Sequence, residues 1–208
     1  TRDNDVFGQP RLFAMQQYRD FLAREADVDG LNGWMGAIAG GATREATIGA
    51  FFNSAEFDGV VGPVVRLYYA TFLRVPDYAG LTHNVGQVRA GALSLAQLAG
   101  FFAASPEFAA TYGALDNTQF VTLLYNNVLG RAPDAAGLSG WLSLMAGGLS
   151  RGQVLQGFSD SPEYQAAMAN EVFVTMMYAG MLRRTPEAGG YGGWVAQLDG
   201  GLPRTQAI

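Results

Sequence analysis

The chain of 208 residues contains no cysteine, which excludes disulfides, thiolate metal sites and cysteine nucleophiles. It contains no lysine either, since all 13 basic residues are arginine. That removes Schiff-base chemistry, the phosphate-binding loop lysine and most catalytic amines. Charged residues make up only 15% and apolar residues 49%, so the chain is expected to bury a real core without long disordered stretches. No apolar run approaches the roughly 20 residues of a membrane span, and no membrane insertion is expected. No signal peptide precedes Thr1, so either the chain had none or Thr1 opens a mature or excised piece. The net charge is −5 and the arginines are dispersed. Nucleic-acid binding needs clustered positive charge to release counterions, so no nucleic-acid partner is expected. Attraction to an anionic bilayer is disfavoured for the same reason.

What the chain does have is an internal repeat. Gly30, Gly80, Gly137 and Gly190 anchor four copies of roughly 50 residues, at 10–57, 62–108, 117–164 and 170–208, the last incomplete. Twelve residues before each glycine stands Tyr18, Tyr68, Tyr125 or Tyr178. Six before stands Arg24, Arg74, Arg131 or Arg184, and three before stands Asp27, Asp77, Asp134 or Glu187. Four after, three copies have tryptophan (Trp34, Trp141, Trp194) and the second has Asn84. The first three copies close with Ser54-Ala-Glu-Phe57, Ser105-Pro-Glu-Phe108 and Ser161-Pro-Glu-Tyr164. Fixed offsets at this many positions mark a repeat architecture.

The punctuation is helical. In the third copy Phe120, Val121, Leu124, Tyr125 and Val128 share one helical stripe, which predicts a first helix over 118–130. Gly130 and Pro133 stop it. Asp134 is placed to cap a second helix over 135–146 that carries Leu138, Trp141, Leu142 and Met145 on one face. Ser150 with Gln153, like Ser94 with Gln97, forms a capping box for a third helix over 151–159 burying Val154, Leu155 and Phe158. Ser161-Pro162-Glu163 starts a further helix. No segment alternates with a period of two. The expected fold is all-α, with three to four short helices per copy and four copies in a solenoid-like or bundle arrangement. One copy has too little core to stand alone, so neighbouring copies are expected to pack together, as one or two globular units. The fourth copy stops at Ile208, aligned with Ile48 and Leu155, and the natural polypeptide is expected to continue.

Residues 125–164, reading YNNVLGRAPDAAGLSGWLSLMAGGLSRGQVLQGFSDSPEY, resemble domain-of-unknown-function family 4214. That family's pattern runs Tyr…Leu-Gly-Arg-x-Pro-Asp-x-x-Gly-Leu-x-x-Trp, then glycine, then Ser-Pro-Glu-Phe. The other copies match with substitutions: Ala26 for the proline in copy one, Asn84 for the tryptophan in copy two, and Gly189-Gly190-Tyr191 at the Gly-Leu pair in copy four. The resemblance implies a place more than an activity. Such domains occur in large secreted or surface-attached bacterial proteins, including surface-layer proteins and proteins with haemolysin-type calcium-binding repeats. No catalytic residues are associated with the family.

Each chemically suggestive group has a structural rival. The repeated arginine is placed to bond free carbonyls past a helix end and the repeated acid to cap the next helix, while four spaced arginines offer a site for acidic sugars. Capping explains both charges and is preferred. Glu25, Asp27 and Asp29 imitate the start of a calcium loop, which makes Asp27 and Asp29 a calcium candidate. Its twelfth position, where a bidentate glutamate is needed, is Gly36. The single histidine, His83, replaces a glycine of the other copies and reads as a solvated helix residue. The tryptophans suit packing between helices more than a sugar platform. Met176, Met177 and Met181 read as core filler.

The expected function is a non-catalytic structural or assembly module of an exported bacterial surface protein, such as a surface layer, adhesin or filament. It would be secreted or at the cell surface, with itself or other surface proteins as partner. The alternative is a carbohydrate-binding module of a secreted protein, with glycans as partner. A glycan hydrolase using Glu56, Glu107 and Glu163 is a third reading, but each of these sits where a helix start favours an acid. No catalytic residue, cofactor or metal beyond the calcium candidate is assigned.

Overall fold

A computed structural model of the chain describes residues 9–208. Among these residues there are α-helices and two π-helical turns but no strand. The first helices of the four copies are Pro10–Leu22, Gly62–Phe72, Asn117–Leu129 and Ala169–Met176, the last running on as the π-helical turn Met177–Met181. The second helices are Val28–Ala39, Tyr78–Arg89, Ala135–Ala146 and Ala188–Asp199. The third are Arg44–Phe52, Leu95–Ala103, Arg151–Ser159 and Arg204–Ala207. The expected helix starts are capped by side chains. The Ser94–Gln97 and Ser150–Gln153 capping boxes are both formed, and Ser105 and Ser161 accept from the amides of Phe108 and Tyr164 at 3.1 and 3.3 Å.

The first helices end alike, although glycine marks only one of the ends. The residue seven before the anchor glycine is left-handed in every copy: Ala23 at φ 52°, Leu73 at 52° and Gly130 at 63°, each directly after the helix, and Arg183 at 51°, one residue further on, after Leu182. A side chain in that region costs roughly 1–2 kcal/mol, so packing, and not local preference, sets the turn in three copies. The next amide, that of Arg24, Arg131 or Arg184, bonds back to the carbonyl of Tyr18, Tyr125 or Tyr178 at 3.3–3.4 Å.

Copies share the predicted core positions. Phe120, Val121, Leu124, Tyr125 and Val128 are all buried, as are Val154, Leu155 and Phe158. The second helix of copy three buries no residue fully. Trp141 and its neighbours are half-covered there, because that helix rests one face on the first and leaves the other to water. Met181 corrects its reading as core filler: it is 42% exposed, whereas Met176 is buried.

The chain forms two compact units. One is Pro63–Ala169, holding copies two and three, and the other joins the chain up to Gly62 with Asn170–Ile208, holding copies one and four. Copy one therefore shares its unit with copy four and not with copy two, its neighbour in sequence, which corrects the expected packing of neighbouring copies.

In the Pro63–Ala169 unit the two third helices cross at glycine. A Cβ on Gly152 would overlap the Ala96 carbonyl and stand 2.7 Å from the Gly100 nitrogen. Buried Arg66, on the first helix of copy two, donates to the Ser159 carbonyl and to Asp160 Oδ1, both at 3.1 Å. In the other unit Phe52 of copy one meets Phe173 of copy four at 4.7 Å. Arg183 donates there to Asp20 Oδ1 at 3.2 Å. Burial pushes the Asp20 carboxyl above its usual range.

The crossing predicts that Gly152→Ala costs about 1–3 kcal/mol, the usual penalty of overpacking, read as a lower urea midpoint. Gly140 has open space around it, so Gly140→Ala should be neutral or stabilise by up to about 1 kcal/mol. Equal effects from the two would refute the close crossing.

Candidate functional site

The repeated residues gather within each copy around the start of its second helix. The hydroxyl of the tyrosine lies where a Cβ on the anchor glycine would stand: Tyr18 against Gly30, Tyr68 against Gly80, Tyr125 against Gly137 and Tyr178 against Gly190. A spacing of twelve residues thus records one contact, a phenol from the first helix packed on the bare backbone of the second. The acid beside it caps that helix. Asp27, Asp77 and Asp134 accept from the amides of Gly30, Gly80 and Gly137 at 2.7, 2.7 and 2.8 Å. Glu187 corrects the expected pattern, since its side chain makes no cap. One methylene longer, it turns back to Arg184 and accepts from the Tyr178 hydroxyl at 3.3 Å.

The arginine lies over the same tyrosine. Its guanidinium is 4.7 Å from the ring centre in copy one, 5.7 Å in copy two, 5.4 Å in copy three and 4.9 Å in copy four. Its main partner differs from the one expected. Arg24 grips Glu56 through Nε and Nη2 at 2.6 and 2.7 Å, and Arg74 grips Glu107 likewise at 2.6 and 2.9 Å. Arg131 stands 3.9 Å from Glu163. The carbonyls it bonds belong to the connecting loop, Glu25 and Val75 at 3.0 Å, and not to the helix end. The glutamate of the Ser-x-Glu ending therefore closes a clamp across the copy in addition to facing a helix dipole. Nothing in linear spacing distinguishes the two roles.

The chain matches the family described as a domain of unknown function (DUF4214) over residues 9–61, 99–168 and 163–208. It belongs to the DUF4214 family. No curated protein and no solved structure matches it.

The stretch between the first two DUF4214 matches covers the first two helices of copy two. Asn84 there donates to the Tyr68 hydroxyl at 2.8 Å, and one residue is inserted between Gly80 and Ser94 relative to the other copies. Where tryptophan is present in copies one and three, it lies flat on a phenylalanine of the third helix. Trp34 is 5.0 Å from Phe51 at 21°, and Trp141 is 5.1 Å from Phe158 at 29°. Trp194 has no such ring against it among the described residues. It lines instead a pocket of about 190 Å³ with Phe173, Met177, Met181, Leu182 and Ile208.

The DUF4214 repeat holds one more set that offset reading passed over. Arg44, Arg151 and Arg204, each opening a third helix, lie 5.5, 5.0 and 4.9 Å from the ring centres of Phe13, Phe120 and Phe173. Those phenylalanines stand seventeen residues before their glycines and the arginines fourteen after, so the signal was there to be found.

The other candidates are dispersed or engaged. Asp27 gives one oxygen to its cap and the other to Arg24 at 3.1 Å, and Glu25 is held by Arg19 at 2.8 and 2.9 Å. Asp29 lies exposed in the first turn of the second helix, and no group of three or more metal-ligating side chains forms among the described residues. His83 is exposed. Glu107 is a poor general acid, because the hydrogen bond from Arg74 holds its carboxyl below the usual range. Among the described residues no helix is long and apolar enough to cross a membrane.

A carboxylate whose pKa falls on folding adds stability above its unfolded pKa, and that stability is lost as pH drops through the folded value. Glu107→Gln should therefore lower the melting temperature at pH 7, with the deficit closing below about pH 4.3. A deficit of unchanged size at pH 3 would show that Arg74 and Glu107 are not paired.

Proposed function

We propose that the chain is a non-catalytic architectural module of an exported bacterial surface protein, contributing to a surface layer, adhesin or filament. One observation carries the reading. In copies one and two the repeated arginine, acid and tyrosine are satisfied by partners in the same copy. An enzyme or a saccharide site directs its shared polar groups at a common space. Copies one and two direct theirs inward, which is how a repeated structural unit is held together. The surroundings in which DUF4214 domains occur support the exported, surface-attached setting. Carbohydrate binding is the second reading, and Trp194, which lines a pocket with no phenylalanine stacked on it among the described residues, is what favours it.

Sedimentation velocity across a wide concentration range, with electron microscopy of the concentrated protein, tests the first reading. Ordered or concentration-dependent assembly is expected. A strict monomer that yields a specific hit on a glycan array would replace it with the second.

A further inference from the structure

We propose that the chain associates with a second copy of itself by exchanging halves, copies one and two of one chain seating on copies three and four of the other, with Arg66 and Asp160 deciding which copies pair. The layout of the helices is the first observation. Copies one and two join without leaving helix, since the π-helical turn Phe57–Val61 runs directly into Gly62–Phe72. At the junction of copies three and four, Met168 alone stands between Pro162–Ala167 and Ala169–Met176. The middle junction is looser: residues 113–116 separate Pro106–Tyr112 from Asn117–Leu129. Each compact unit nevertheless takes one copy from either side of that link, copies two and three in one and copies one and four in the other. A chain that opens at the link parts both pairings, and a second chain opened in the same way restores both. Gly113 suits the hinge, at φ 74° and ψ −165°, a region essentially confined to glycine.

What reforms is specific. Arg66 is the one charged side chain that is buried among the described residues. It donates across the copies to the Ser159 carbonyl and to Asp160 Oδ1, both at 3.1 Å, while Gln156 donates to Asp160 Oδ2 at 3.3 Å. A buried cation that loses its acceptor is strongly disfavoured. The position of Asp160 is held by Asn53 in copy one and by Ala104 in copy two. Copy two therefore finds its acid on a copy three, whether of its own chain or of another. Seated on a copy one or on a second copy two, it would bury its guanidinium against an amide or a methyl group. The helix crossing selects the same partner. Gly152 lets copy three approach the Ala96 carbonyl, and the aligned residues are Glu45 in copy one and Ala96 in copy two. Specificity thus comes from what the wrong pairings would leave unsatisfied.

Exchange of identical elements makes dimers without any new surface, because the closed and exchanged forms bury the same contacts. The proposal deepens the architectural reading, on which it rests, by naming the surface and the partner through which association starts.

Two charge-reversed chains, Arg66→Glu and Asp160→Arg, provide the test. In either chain alone, copy two meets a like charge on every copy three within reach. Refolded together from urea, the carboxylate placed at 66 of the first chain faces the guanidinium placed at 160 of the second, and Arg66 of the second meets Asp160 of the first. Native mass spectrometry, which separates the chains by mass, should show a one-to-one mixed dimer at least tenfold more abundant than the dimer of either chain with itself. A chain carrying both substitutions should regain the parent's urea midpoint and, like the parent, dimerise when refolded at high concentration. Monomers alone from the mixture, dimers formed without partner preference, a parent chain that stays monomeric on concentrated refolding, or a doubly substituted chain no more stable than the single ones would overturn the proposal. A mixture that fails while the parent chain still builds ordered assemblies would refute the exchange and leave the architectural reading standing. A mixed dimer beside a parent chain that builds nothing larger than a dimer would support the exchange and count against that reading.

Discussion

Each copy is organised by the seat of a tyrosine hydroxyl on a glycine that has no room for a side chain. The first and second helices are joined by only a few residues, and the phenol fixes how they lie. It fills the space above Gly30, Gly80, Gly137 or Gly190, and its buried ring gives the arginine a face to lie on and the third-helix phenylalanine an edge to meet. A Cβ at the glycine would displace the hydroxyl, and the ring with it. Cap, clamp and aromatic cluster all refer to this one position. The tyrosine and glycine therefore persist in all four copies, while the tryptophan is absent from one and the aspartate replaced in another.

The arginine clamp works at the next level. Exposed ion pairs contribute about 0–1 kcal/mol, so its strength is not the main point. Its geometry is. A bidentate grip between Arg24 and Glu56, or between Arg74 and Glu107, ties the Ser-x-Glu segment that follows the third helix back to the loop after the first. Three short helices with shallow individual cores are thus tied together within the copy. Burial between copies then supplies what a single copy lacks, through the Gly100–Gly152 crossing in one unit and the Phe52–Phe173 contact in the other.

Much of this was legible in letters alone. The helix boundaries of copy three lie within a residue of those implied by its caps and glycines, because capping serines, first-turn prolines and terminal glycines act locally and leave local marks. The long-range partners were not legible. The Arg24–Glu56 pair spans 32 residues, and a glutamate after Ser-x has a sufficient local reason to be there. Left-handed ends at Ala23, Leu73 and Arg183 were hidden because tertiary packing imposes them on residues that do not favour them. The grouping of copy one with copy four has no trace in periodicity at all.

A double-mutant cycle at the tyrosine–glycine seat of copy three tests the account most directly. Unfolding free energies would be measured for the parent chain, Gly137→Ala, Tyr125→Phe and the pair. If the hydroxyl occupies the space the alanine methyl needs, Gly137→Ala should cost substantially less once the hydroxyl is gone, with a coupling energy above about 0.5 kcal/mol. Costs that simply add, to within about 0.3 kcal/mol, would mean that the two residues do not share that space and that the repeat is held by something else.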